Sequence, residues 1–300
     1  MIHLTSGVGG YVKLLPYAIP HYRDLGVGSI QINVHVSEHD PPDLLNQVRE
    51  TSEKYGIGPP SVMYGPWYLT EQQVYASSRT GHPTDWFILA DQDELHRYPM
   101  EVAKLVEFCE RKGYDYVSGC LVDRVSRDGR LSPIDYSKAL ESQFPLGAYL
   151  TFPIHGGYPM KIVLAKGHVK IDTGQHVALT GKGCPIEEVF VQVHHYKWVE
   201  GLLPWLRQRM EVLLAGGSPW WVMAARIIQY YGEHNGKIDL NEPSFLVAEC
   251  NPGYENWPKI VEIAIEDRKT KGLMRAAYSH IDLDSLRSLL ERIRNSPANG

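Results

Sequence analysis

Trp86-Phe87-Ile88-Leu89-Ala90-Asp91-Gln92-Asp93-Glu94 is a run of five apolar residues leading straight into an acid-Gln-acid-acid cluster. A short unbroken apolar run predicts a strand buried on both faces, as in a parallel sheet. Side chains two apart on an extended chain point the same way, so Asp91 and Asp93 are expected to project together where the strand ends. In open α/β sheets the ligand crevice lies outside the carboxyl ends of the strands. Two convergent carboxylates there suit a hard divalent cation, which commonly bridges to substrate phosphates. A strand ending in a solvated acidic turn gives the same pattern, and this stretch alone leaves both open.

Upstream, strand-like runs alternate with helical ones, the pattern of βαβ units. Ile2–Thr5 predicts a short first strand and Ser6–Gly10 a flexible turn. A helix is expected over Val12–Leu25, with Pro16 in its first turn, a kink at Pro20 and Gly26 as its terminal cap. Ser29–Val36 alternates apolar with polar and predicts strand two. A helix over Asp43–Tyr55, a strand over Pro60–Tyr64 and a helix over Glu71–Ser78 follow.

Downstream, Pro99 opens a helix in which Val102, Leu105, Val106 and Cys109 recur at helical spacing. Strands are expected over Tyr114–Val122, Lys161–Ala165 and Val189–His195, with an irregular stretch from Asp123 to Tyr158. Tyr149, His155 and Tyr158 in that stretch are candidates to face an acceptor. Beyond Trp198 the pattern is helical: Leu203–Leu214, a second helix opened by Ser218-Pro219, and a last one from Asp282. The expected fold is therefore α/β: a mixed, mainly parallel Rossmann-like sheet flanked by helices over 1–198, with a helical portion over 199–300 packed on it.

Composition narrows the function. Across 300 residues, 43% are hydrophobic and the net charge is −5, which leaves no basic footprint for nucleic acid. Four cysteines, Cys109, Cys120, Cys184 and Cys250, form no CxxC pair. They fit a reducing, cytoplasmic setting and not a zinc knuckle. No charged segment precedes an apolar core at the N-terminus, so no signal peptide is expected, and no run approaches membrane-spanning length.

A second polar concentration, Val193-His194-His195-Tyr196-Lys197-Trp198, closes the run Val189–Val193. An imidazole at that strand end would supply a third metal ligand beside Asp91 and Asp93, and Lys197 would meet a phosphate as a point charge. Two half-buried histidines with satisfied hydrogen bonds are the plainer alternative.

Together, the Trp86–Glu94 stretch resembles the Asp-x-Asp-Glu segment of family-two-like nucleotide-sugar glycosyltransferases of GT-A fold. His194-His195-Tyr196-Lys197-Trp198 resembles a His-aromatic-Lys-Trp segment found downstream in some of them. The Tyr22-Arg23-Asp24-Leu25-Gly26-Val27 junction is similar to their first βαβ unit, so the likeness spans about two hundred residues. It implies a nucleoside-diphosphate sugar donor held over strands one to four, with Mg²⁺ or Mn²⁺ bridging its diphosphate. Asp91 and Asp93 would then hold the metal, one of them through water or ribose, with His195, or in reserve His194, as the later ligand. Thr5, Ser6 and His35 would lie near the base and ribose.

One departure matters. Many inverting members carry a Glu-Asp pair as base, whereas here the region reads Asp172-Thr173-Gly174-Gln175-His176, with Glu187-Glu188 later. His176, whose residue type titrates near neutrality, and Asp172 are the candidates to take the proton of an acceptor hydroxyl. The rival readings are a nucleotidyltransferase and a noncatalytic nucleotide- or carbohydrate-binding protein. Gly7-Val8-Gly9-Gly10 is a poor match to the phosphate-cradling loop Gly-x-x-x-x-Gly-Lys.

Overall fold

A computed structural model describes residues 1–10, 12–37, 40–65, 79, 82–250 and 257–270, with Ser288, Leu290, Glu291 and Ile293. The expected helix over 71–78 lies outside the described residues, as do most of the last expected helix and Trp67, whose place just after Pro66 suits either core packing or the donor side. In chain order the elements begin β1 (Ile2–Val8), α1 (Leu15–Asp24), β2 (Ser29–Val36), α2 (Leu44–Lys54), β3 (Ser61–Tyr64), β4 (Trp86–Asp91) and β5 (Glu94–Arg97). Next come α3 (Val102–Lys112), β6 (Tyr116–Val125), α4 (Leu140–Gln143), β7 (Leu146–Ala148), α5 (Thr151–His155), β8 (Met160–Lys166) and β9 (Val191–His195). The chain ends with α6 (Leu202–Ala215), α7 (Trp221–Glu233), β10 (Ala248–Glu249) and α8 (Pro258–Lys269).

Contacts divide the chain into two units: Met1–Val122 with Met160–Tyr196 and Asn251–Ile265, and Asp123–Pro159 with Lys197–Cys250 and Glu266–Gly300. The sequence-based expectation drew one division at Trp198. The excursion over 123–159 was not part of that expectation.

The first unit has a mixed α/β sheet whose centre is parallel, in the order β3-β2-β1-β4. β8 joins β4 antiparallel, and β6 joins β8 antiparallel. β4 is buried along Trp86–Ala90 and emerges only at Asp91, as the apolar run requires. Val8, Ile32 and Val34 of β1 and β2 pack with Leu15, Ile19, Leu44 and Val48 of α1 and α2. α1 runs through Pro20, which has no N–H for the carbonyl of Pro16. The Tyr55 hydroxyl donates to that carbonyl at 3.0 Å. Gly26 follows the helix at φ 82°, the left-handed geometry that glycine adopts without steric cost.

Two expectations are corrected. β1 does not stop at Thr5: Ser6, Gly7 and Val8 continue the ladder opposite Ile32, Asn33 and Val34. The Gly-rich letters suggested a turn, but paired neighbours on both sides override local propensity. The stretch 123–158 is not irregular either. It holds the end of β6, the short helices α4 and α5, and β7, which pairs antiparallel with Asp123–Val125.

The second unit is mostly helical. Trp198, Leu202, Leu206 and Met210 pack with Ala225, Ile228 and Tyr231 of α7 and with Leu150 and Ile154. The buried Asp123 carboxylate accepts from the backbone N–H of Leu150 and Thr151, the Thr151 hydroxyl and the Trp198 indole N–H, at 2.8–3.0 Å. Among the described residues no helix is long and apolar enough to cross a membrane.

Candidate active site

The first unit gathers its polar groups where β4 ends. Asp91 is the last residue of β4, and the chain turns through Gln92 and Asp93 into β5. β5 pairs antiparallel with β9, so that Glu94 stands opposite His195 and Leu95 opposite His194. The backbone N–H of Tyr196 donates to the Asp93 carbonyl at 2.8 Å. These pairings bring the two sequence motifs together. The His195 Nε2 lies 3.7 Å from Asp93 Oδ2, with the side chains 11% and 15% exposed.

His194, one residue earlier, belongs to the other face of the strand. Its Nε2 lies 3.0 Å from Gln192 Oε1. The alternation therefore puts His194, the reserve candidate, on the face opposite His195.

Asp91 is the last residue of the strand and Asp93 lies in the turn beyond it, so strand alternation does not relate the two. The Asp91 carboxylate is engaged elsewhere: Lys161 Nζ is 3.2 Å from Oδ2, and Gln175 Nε2 donates to Oδ1 at 3.3 Å. Lys161 is the centre of this cluster. Its ammonium is 2.9 Å from Glu94 Oε1 and donates to the Gly174 carbonyl at 3.0 Å. Burial alone would raise the Glu94 carboxyl, but the Lys161 ammonium, His96 and His195 hold it below the usual carboxylate range. Burial alone would lower the Lys161 amine, but Asp91 and Glu94 raise it above the usual lysine range. Sequence reasoning missed Lys161, Glu94 and Gln175. The available signal was Lys161 itself, a lone cation within the apolar run Met160–Ala165, since a charge in a buried strand needs a partner.

The candidate base lies in a turn on the same cluster. Asp172 and Val177 close it by a backbone bond of 2.9 Å, and Gln175 donates its backbone N–H to the Asp172 carbonyl at 3.1 Å. Gly174 and Gln175 have φ of 75° and 60°. His176 Nδ1 lies 2.6 Å from the Met160 carbonyl. A carbonyl only accepts, so Nδ1 carries the proton and the neutral ring has its lone pair on Nε2. Glu188 is occupied at the surface: the Tyr114 hydroxyl donates to it at 2.6 Å, and Lys112 lies at 3.6 Å.

Thr5 and Ser6 are buried within β1 and not at its end, and the Thr5 hydroxyl accepts from Asn33 Nδ2 at 2.8 Å. His35 is buried with Nε2 2.5 Å from the Gly65 carbonyl. Lys197 belongs to the second unit, where its ammonium is 3.5 Å from His155 Nε2. His155 and Tyr149 are buried there, and the Tyr158 hydroxyl donates to the Asp267 carboxylate.

Among the described residues, no three or more His, Cys, Asp and Glu side chains are gathered as a metal-binding group. The expected set of Asp91, Asp93, His195 and His194 is thus one adjacent pair, Asp93 and His195. That pair fits a cation shared with a ligand, since such ions keep one or two protein ligands and take the rest from phosphate and water. Charge favours it as well. Asp91, Asp93 and Glu94 against Lys161 leave the tip with net negative charge when His195 is neutral.

No family model matches the sequence, and no curated protein does. Among solved structures, HddC from Yersinia pseudotuberculosis is similar at TM-score 0.35 and 13% identity, over 72% of this chain and 99% of that one. Mannose-6-phosphate isomerase from Helicobacter pylori is similar at TM-score 0.29 and 12% identity, over 56% and 71%. A putative glucose-1-phosphate thymidylyltransferase from Bacillus anthracis is similar at TM-score 0.28 and 11% identity, over 89% and 94%. None of the three is named as a glycosyltransferase, and likeness at this level assigns this chain no activity.

Proposed function

We propose that this protein is a cation-dependent transferase acting on a nucleoside-diphosphate sugar, moving the sugar to an acceptor hydroxyl. The observation that carries the reading is the Asp93–His195 pair, 3.7 Å apart at the end of a buried strand of an α/β sheet. The carboxylate oxygen suits Mg²⁺ or Mn²⁺, and the added imidazole nitrogen favours Mn²⁺ over the harder, oxygen-seeking Mg²⁺. When bound, the cation would neutralise negative charge developing on the leaving diphosphate. The chain's own residues would do the rest. Asp93 and His195 would hold the ion, and Asp91, bound to Lys161 and Gln175, would anchor the end of the strand that carries them. His176, with its proton held on Nδ1 by Met160, takes the proton of the acceptor hydroxyl on Nε2, with Asp172 as the other candidate.

Nucleotidyl transfer is the second reading. It uses carboxylates and a cation on phosphates in the same way, and it is the activity named for the Bacillus anthracis structure. The products separate the two. Incubated with Mn²⁺ and UDP-, GDP- and dTDP-sugars, the protein should release nucleoside diphosphate. Pyrophosphate-dependent formation of nucleoside triphosphate would establish nucleotidyl transfer instead. Cation-dependent binding without either product would leave a binding protein.

A further inference from the structure

The Lys161 ammonium has three N–H donors, and three acceptors surround it: Asp91 Oδ2, Glu94 Oε1 and the Gly174 carbonyl, at 3.2, 2.9 and 3.0 Å. Its side chain is 3% exposed, so it is spent on the protein and acts on a ligand only through other groups. Gln175 completes the arrangement. Its backbone is left-handed at φ 60°, a conformation a non-glycine residue keeps where its surroundings over-determine it. The residue is buried, and its amide reaches the other oxygen of the same carboxylate, Asp91 Oδ1, at 3.3 Å. Asp91 is thus gripped on both oxygens, by groups that either belong to turn 172–176 or bond its backbone.

We infer that Lys161 and Gln175 are positioning residues that clamp the turn bearing His176 onto the Asp91 tip, so that the proton-accepting ring and the cation-binding strand end keep one fixed spacing. The inference rests on the function proposed above. Three contacts converge on it: Lys161 to the turn's backbone, Gln175 to Asp91, and His176 Nδ1–H to Met160, the residue before Lys161. Without the clamp the ring would still titrate and the tip would still bind its ion, but their mutual placement would be lost. Misplacement by about an ångström can cost a hundredfold in rate.

Gln175→Asn is the decisive variant, since asparagine tolerates the left-handed backbone while its side chain is one methylene shorter. Hydrogen exchange is measured on the unliganded full chain. In Q175N the amides of 172–178 should exchange at least tenfold faster, with β1, β2 and β4 unchanged. With UDP-, GDP- and dTDP-sugars and Mn²⁺, release of nucleoside diphosphate should fall ten- to a hundredfold in kcat at a nearly unchanged KM. Lys161→Arg, which retains the charge, should keep more turnover than Lys161→Met. Unchanged exchange in the turn overturns the clamp even if no donor is ever found. Faster exchange with wild-type kcat overturns its role in positioning. Failure of wild type to respond to any nucleotide with Mn²⁺ counts against the transferase, and the exchange result still decides the clamp.

Discussion

Glu94 and Lys161 form an ion pair at 2.9 Å with both side chains 3% exposed. An isolated charge in such a place is far costlier than the pair, because desolvation is no longer offset. Lys161→Met and Glu94→Gln should each destabilise the chain by roughly 3–5 kcal/mol. The double change Lys161→Met with Glu94→Gln should recover much of that loss, since the buried charge pair is removed together and the Asp91 carboxylate that remains is 38% exposed. Urea denaturation of the four proteins checks it. If the double variant is as unstable as the sum of the singles, the two residues are not a coupled pair.

Asp93 and His195 should behave alike and His194 should not. In a thermal-shift series with nucleoside diphosphates and Mn²⁺, wild type should be stabilised by about 2.7 kcal/mol at a hundredfold excess over Kd. Asp93→Ala and His195→Ala should lose this response. His194→Ala should keep it from a lower starting Tm, because that ring bonds Gln192 on the opposite face. Loss of the response in His194→Ala, with retention in His195→Ala, would reverse the assignment.

Much of the frame was legible in the sequence for one reason. Elements whose burial pattern is periodic or unbroken, such as Ser29–Val36 and Trp86–Asp91, carry their fold signal locally. The tip was half legible. The acids and the histidine were evident, but their partners depend on long-range pairing that no local pattern encodes. Asp91 and Asp93 were expected side by side because period-two alternation was carried two residues past the strand, through the turn at Gln92. The pairing of β5 with β9 then determined which histidine faces Asp93. Lys161 was passed over because a lysine beside five apolar residues looks like a strand end until its counter-charges are in view.

Acid should weaken the first unit through two histidines. Burial, then the Arg97 charge, lowers His21 from its ordinary value to about 3. Burial also lowers His96, which Glu94 only partly offsets. The unfolded chain therefore binds these protons at a higher pH than the folded one. Their contribution is complete above about pH 6.5 and is lost as pH falls, for His21 toward 3, at about 1.4 kcal/mol per pH unit for each proton taken up only on unfolding. His21→Gln, which keeps a donor for the His96 carbonyl, should flatten the slope of stability between pH 6 and 4. An unchanged slope would show that His21 protonates freely in the folded state.

Gly119 determines how closely β9 approaches β6. A Cβ built there would lie 2.6 Å from the Val191 carbonyl oxygen and 3.0 Å from Val163 Cγ1. The first contact is with backbone, which cannot swing aside as a side-chain end can. Gly119→Ala should push β9 outward at a cost of roughly 1–3 kcal/mol, the range for overpacking a filled interior. Because β9 ends at His195, four residues beyond Val191, the same shift should also weaken Mn²⁺-dependent nucleotide binding, beyond what lost stability explains. Gly58→Ala is the control, since a Cβ there meets nothing within 4 Å, and it should change neither property. The comparison needs denaturation midpoints and nucleotide titrations at a temperature where all three proteins are fully folded. Gly119→Ala binding as tightly as wild type, with stability lowered, would mean that β9 can move without carrying His195 away from Asp93.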